Sequence, residues 1–240
     1  MSGQPYAKPP IIEVVVEFRF ADPLKNAVFK KLVRRLRAPY PSRVEQHTRQ
    51  AQIDFQNAQA DFTDPVPQTV LTSNDEADRL TVRPDMVIWS RLAPYDGWDA
   101  FYPRIERDLQ VAHEAIGFRK FSRLGLRTIN RIDVPFDTDL LARYEDYFTI
   151  NITAPWEALD HYHWRVERKD PKDGITTIMQ SGTVQPEVPN TAAFLLDIDV
   201  ITDAVPNKID EILEKLSYLR GIKNSLFEAA ITDKARATFA

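Results

Sequence analysis

Three arginines spaced four apart, Arg123, Arg127 and Arg131, stand in the run Arg123-Leu-Gly-Leu-Arg-Thr-Ile-Asn-Arg-Ile-Asp133 at the middle of the chain. Strand side chains alternate with period two, so in a strand all three share one face. A guanidinium presents a planar fork of donors that fits a carboxylate or a phosphate. With Asn130 and Lys120 nearby, the row is a candidate anion-binding surface. The competing reading is structural: ion pairs to Asp133, Asp197, Asp199 or Glu167 on neighbouring strands. If this strand lies centrally with its arginine face on the concave side, burying such charges unpaired costs several kcal/mol each, and a ligand or internal acids must compensate them. Otherwise the row is the solvated back of a sheet.

A second cationic group lies between Lys25 and Arg37, which holds six cations and no acid. Lys30, Lys31, Arg34, Arg35 and Arg37 fall opposite the apolar stripe Phe29, Leu32, Val33 and Leu36. That face either binds an anion, with affinity that falls as salt rises, or simply faces water. His161 and His163 share one strand face and, with Asp197 or Asp199 as a third ligand, could hold zinc, nickel or iron. The alternative is an exposed pair beside Tyr162 and Trp164. Asp197 and Asp199 share a strand face too, and paired carboxylates can hold magnesium for phosphoryl chemistry. No glycine-rich phosphate loop accompanies them in a chain with only seven glycines. Gly-x-Ser-x-Gly and His-Glu-x-x-His are both missing from the sequence, so no catalytic residue and no cofactor is assigned.

The composition narrows the class. With no cysteine among 240 residues, disulfides, thiolate zinc sites and a cysteine nucleophile are excluded, which fits a reducing cytoplasm. No apolar run reaches the length of a membrane span, and the N-terminus has no apolar signal core. The net charge of −4 is unevenly distributed: residues 1–132 carry 20 basic and 16 acidic side chains, residues 133–240 carry 11 and 19. This balance argues against a protein-wide field for nucleic acid and leaves local anion binding open.

The elements that would position these groups can be read from periodicity. Pro9-Pro10 releases a strand over 11–20 whose even positions are apolar and whose odd positions include Glu13, Glu17 and Arg19. Asp22-Pro23 then reads as the start of a helix, with Asp22 as N-cap, ended by Pro39 and Pro41. Strands are expected at about 43–57, 67–73, 78–83 and 86–92. A second helix should follow Pro94-Tyr-Asp-Gly-Trp98, capped by Asp96 or Asp99 and stopped at Gly117. The second half repeats this order: a strand at about 122–134, a short helix near 138–147, and strands at about 148–153, 161–169, 174–184 and 192–202. The longest helix follows at about 207–230. Trp89, Trp98, Trp156 and Trp164 read as core or cavity lining.

The expected fold is therefore α+β: two topologically similar halves, 1–120 and 121–240, each an antiparallel sheet with a long helix on one face. This is a TBP-like or helix-grip-like pseudo-dimer. Several segments also resemble a sporadically distributed prokaryotic family of about this length. They are Pro9-Pro-Ile-Ile-Glu-Val14, Pro94-Tyr-Asp-Gly-Trp98, Gly125-Leu-Arg-Thr-Ile-Asn-Arg131, Leu196-Asp-Ile-Asp199, Lys223-Asn-Ser-Leu-Phe227 and Ile231-Thr-Asp233. Thr128 stands where that family more often has an aromatic residue. The resemblance implies a compact cytoplasmic protein and assigns no activity.

The leading expectation is a non-catalytic binding protein. It would recognise an acidic ligand or protein partner through Arg123, Arg127, Asn130 and Arg131 or through Lys30, Arg34 and Arg37, with a homodimer through sheet edges as one form of partnership. The alternatives are a metal-dependent enzyme on a phosphorylated or nucleotide substrate, and a single-stranded nucleic-acid binder.

Overall fold

The computed structural model describes residues 6–48, 51–54, 59–62, 65–136, 143–150 and 161–239. The chain opens with β1 (Ile11–Phe20), which buries Val14, Val16, Phe18 and Phe20 on one face. Helix α1 (Asn26–Leu36) follows, burying Phe29, Leu32, Val33 and Leu36. Then come β2 (Ser42–Thr48), β3 (Ala51–Asp54), β4 (Gln59–Phe62), β5 (Val66–Thr72), β6 (Asp78–Val82) and β7 (Met86–Leu92). Helix α2 (Trp98–Ile116) leads to the 15-residue β8 (Phe121–Pro135). A single 3-10 turn at Tyr144–Asp146 precedes β9 (His163–Lys169), β10 (Thr176–Val184), β11 (Thr191–Thr202), α3 (Ile209–Ala230) and α4 (Asp233–Ala237).

These strands form one nine-stranded sheet in the order β2-β5-β6-β7-β1-β8-β11-β10-β9, with β3 and β4 as a separate two-stranded ribbon. Every pairing is antiparallel. This overturns the expected pair of similar halves, each with its own sheet gripped by a long helix; the TBP-like or helix-grip-like description does not apply. The physical reason lies in β8. Both of its edges are hydrogen-bonded, to β1 from Phe121 to Asn130 and to β11 from Leu124 to Pro135. Backbone donors and acceptors that might have ended two sheets instead close one.

The core lies on the face of β8 that carries Leu124, Leu126, Ile132 and Val134, continued by Leu196, Ile198 and Val200 of β11. Apolar stripes of the helices join the same cluster through Leu32 of α1, Ile105 of α2 and Leu216 of α3. Thr128 is buried in this layer at 2% exposure. Trp89 is buried as well, and Trp98 and Trp164 are packed against the core; Trp156 lies outside the described residues.

Local boundaries differ from the sequence reading where capping was the guide. Lys25, in extended conformation, is the N-cap of α1, so Asp22-Pro23 belongs to the connection before it. Gly97 (φ 94°) is the N-cap of α2; Asp99 lies in the first turn, and Asp96 accepts from Arg91 Nη2 at 2.5 Å. The strand expected at 43–57 ends at Thr48, and β3 is a separate element. Of the helix expected near 138–147, only the 3-10 turn falls within the described residues. Of the strand expected at 148–153, Phe148 forms an isolated bridge with Ile231; residues 137–142 and 151–160 lie outside the described residues.

Candidate functional site

The two cationic groups differ in what neutralises them. Arg123, Arg127 and Arg131 stand on the sheet face turned away from the core. In register, Arg127 lies between Val15 of β1 and Asp199 of β11. Its guanidinium nevertheless reaches diagonally to Asp197, with Nε donating to Oδ1 at 2.8 Å and Nη2 to Oδ2 at 2.5 Å. Asp197 is only 6% exposed and also accepts from Gln180 Nε2 at 2.5 Å. This charge-assisted fork raises the pKa of Arg127 further, outweighing burial.

Arg131 forms a second fork, on Asp133, with Nε to Oδ2 at 2.9 Å and Nη2 to Oδ1 at 3.1 Å. It also donates to the carbonyl of Gln185 at 3.0 Å and pairs with Glu187 at 3.1 Å. Arg123 sits directly opposite Arg19 in the β1–β8 register. The two share Glu17, at 3.6 Å from Arg123 Nε and 3.1 Å from Arg19 Nη2. Asp199 completes this surface: burial pushes its pKa up to about 6 against the pull of Arg123 and Arg127, with Asp197 and Glu17 adding to the rise. Asn130 does not join the row. It projects from the opposite, core-facing side, where its Nδ2 donates to the Leu196 carbonyl at 2.9 Å.

The α1 surface is different. Lys30, Lys31, Arg34, Arg35 and Arg37 are all exposed, opposite the buried stripe. Among the described residues none of these five side chains has an ion pair or hydrogen bond. Arg34 and Arg35 fall in the last turn, where the helix dipole favours positive charge, so local energetics accept this charge there. No aromatic side chain occurs within α1 except the buried Phe29.

The metal candidates are not assembled. His161 Nδ1 lies 3.3 Å from Thr183 Oγ1, and His163 pairs in register with Gly182. Asp197 and Asp199 belong to β11, one strand beyond β10, and Asp197 is engaged by Arg127 and Gln180. Among the described residues no group of three or more His, Asp or Glu is placed to hold a metal ion. Glu167 pairs with Arg165 at 2.8 Å and takes no part in the central row.

Two features escaped the sequence reading. Asp108 is 1% exposed and accepts from Tyr40 Oη at 2.6 Å, Trp89 Nε1 at 3.0 Å and Arg107 Nε at 2.9 Å. The signal was an acid beside Leu109 on the apolar stripe of α2. The other is a depression where residues 22–28 meet residues 118–120; its parts are nearly a hundred positions apart, and no local spacing announces it. No family model matches the chain, and no curated protein matches it.

Proposed function

We propose that this is a non-catalytic, cytoplasmic binding protein that recognises an acidic protein partner through the exposed cationic face of α1. One observation carries the reading: five cations project from this helix and its C-terminal end into solvent with no internal acid to compensate them. The arginine row of β8, by contrast, is already neutralised by Glu17, Asp133 and Asp197. An incoming anion there would have to displace charge-assisted forks, and breaking one leaves the buried Asp197 or the partly buried Asp133 uncompensated.

The face has charge without stacking surface, which favours an acidic polypeptide over single-stranded nucleic acid, whose binding sites combine cations with aromatic platforms. The protein's net charge of −4 makes the cationic face a local exception, so it also orients the encounter. The test is fluorescence anisotropy with a labelled glutamate-rich peptide across a salt series. Binding that weakens steeply with salt is expected. No binding at low salt, or a markedly tighter complex with a single-stranded oligonucleotide, would overturn the reading.

A further inference from the structure

The five cations from Arg119 to Arg131, a run without an acid, do not stay together in the fold. Arg119 and Lys120 precede β8 and meet Lys25, at the N-cap of α1, around a depression of about 460 Å³. Asp22, Pro23, Leu24, Val28 and Phe118 supply the rest of its lining. We propose that this depression binds a small phosphorylated molecule. The phosphate would be held by Lys25, Arg119 and Lys120, and an apolar substituent would lie against Phe118 and Val28.

Four observations support the assignment. The walls are fixed by backbone hydrogen bonds: the Ala21 amide donates to the Lys120 carbonyl at 2.9 Å, and the Leu24 amide donates to the Pro84 carbonyl at 2.7 Å. The cations therefore sit on a built frame rather than on a wandering loop. Among the described residues, none of the three cationic side chains has an ion pair or hydrogen bond. Three positive charges face one acid, Asp22, so the depression retains an excess of positive charge that a dianion would neutralise. Finally, Phe118 is 37% exposed, an aromatic surface beside the charges. The volume suits a small ligand with an apolar body and an anionic head.

This site is distinct from the α1 face proposed above: it lies at the N-terminal end of the helix, with Val28 of the first turn in its lining, while Lys30–Arg37 run onward to the far end. The experiment is isothermal titration of wild type, Arg119→Ala/Lys120→Ala, Phe118→Ala and Lys30→Glu/Arg34→Glu with inorganic phosphate, phenyl phosphate and sulfate. Wild type is expected to bind phenyl phosphate several-fold more tightly than inorganic phosphate. The Arg119/Lys120 double variant should lose at least tenfold in affinity for both. Phe118→Ala should lose only the preference for the phenyl group, and Lys30→Glu/Arg34→Glu should bind as wild type does. The backbone carbonyl of Lys120 remains in its variant, and matched thermal unfolding of each protein verifies the frame. The proposal is overturned if the double variant binds phosphate as wild type does, if sulfate competes equally, or if wild type binds none of the three. None of these outcomes bears on the glutamate-rich peptide, so the two proposals fail separately.

Discussion

At the scale of single residues, the central row shows how strand register decides between neighbours. Arg127 faces Asp199 directly yet bonds Asp197, leaving Asp199 half-buried and without a fork of its own. In the unfolded chain Asp199 titrates near 3.8, and in the fold near 6. The folded state therefore holds the extra proton between those values. Stability from this group is complete below about pH 4, declines as pH rises to about 6, and is then constant. Asp199→Asn is accordingly expected to raise stability by about 1–3 kcal/mol at pH 7 and to change little at pH 4. Urea unfolding at both pH values measures this; a variant less stable than wild type at pH 7 would show that Asp199 is a needed counter-ion. The shared face of Arg123, Arg127 and Arg131 was legible from their spacing alone. Their partners were not, because the choice of Asp197 over Asp199 depends on a diagonal reach that spacing does not encode. Asn130 was grouped with the row by proximity, although its odd separation from Arg127 already placed it on the other face.

The elements were legible where hydrophobic periodicity is strong and less so where caps decide. β1 and β7 keep the bounds their sequences suggested, β1 alternates from Val14 to Phe20, and α1 buries the stripe its sequence displays. The start of α1 and the cap of α2 were misassigned because Asp22, Asp96 and Asp99 each offered a plausible cap, whereas both helices begin without a side-chain cap hydrogen bond. Helix α2 itself begins at Trp98, where the sequence put it. What ties α2 to its surroundings is Asp108, which bonds the turn after α1 through Tyr40 and β7 through Trp89. Removing it strands a buried hydroxyl and a buried indole N–H. Asp108→Ala is expected to cost about 3–5 kcal/mol, with Asp108→Asn costing less because an acceptor remains. Chemical denaturation gives the answer, and a loss below about 1 kcal/mol would show that the network contributes little.

For the whole molecule, the order of strands and helices suggested two units, and what it concealed was the merger of their sheets. A strand's sequence reports which faces are apolar but not what sits on its edges, so the pairing of β1 with β8 had no local signature. That pairing makes the sheet continuous across the middle of the chain. Unfolding is therefore expected as one cooperative transition, with far-UV circular dichroism and tryptophan fluorescence coincident. Trp89 and Trp98 report on the first half of the chain and Trp164 on the second. Two resolved transitions would contradict a single sheet-wide unit. The outer strands β2 and β9 display Arg43, Glu45, Arg165 and Glu167, charges that discourage pairing of exposed edges between copies.

The central claim assigns recognition to the cations that the fold leaves free and structure to those it pairs. The most direct measurement compares glutamate-rich peptide binding by wild type, Lys30→Glu/Arg34→Glu/Arg37→Glu and Arg127→Ala, each first matched for folded content by circular dichroism. The helix variant is predicted to lose binding by at least tenfold, a change of about 1.4 kcal/mol, while Arg127→Ala loses stability but binds as wild type does. Binding abolished by Arg127→Ala and untouched by the three helix substitutions would contradict it.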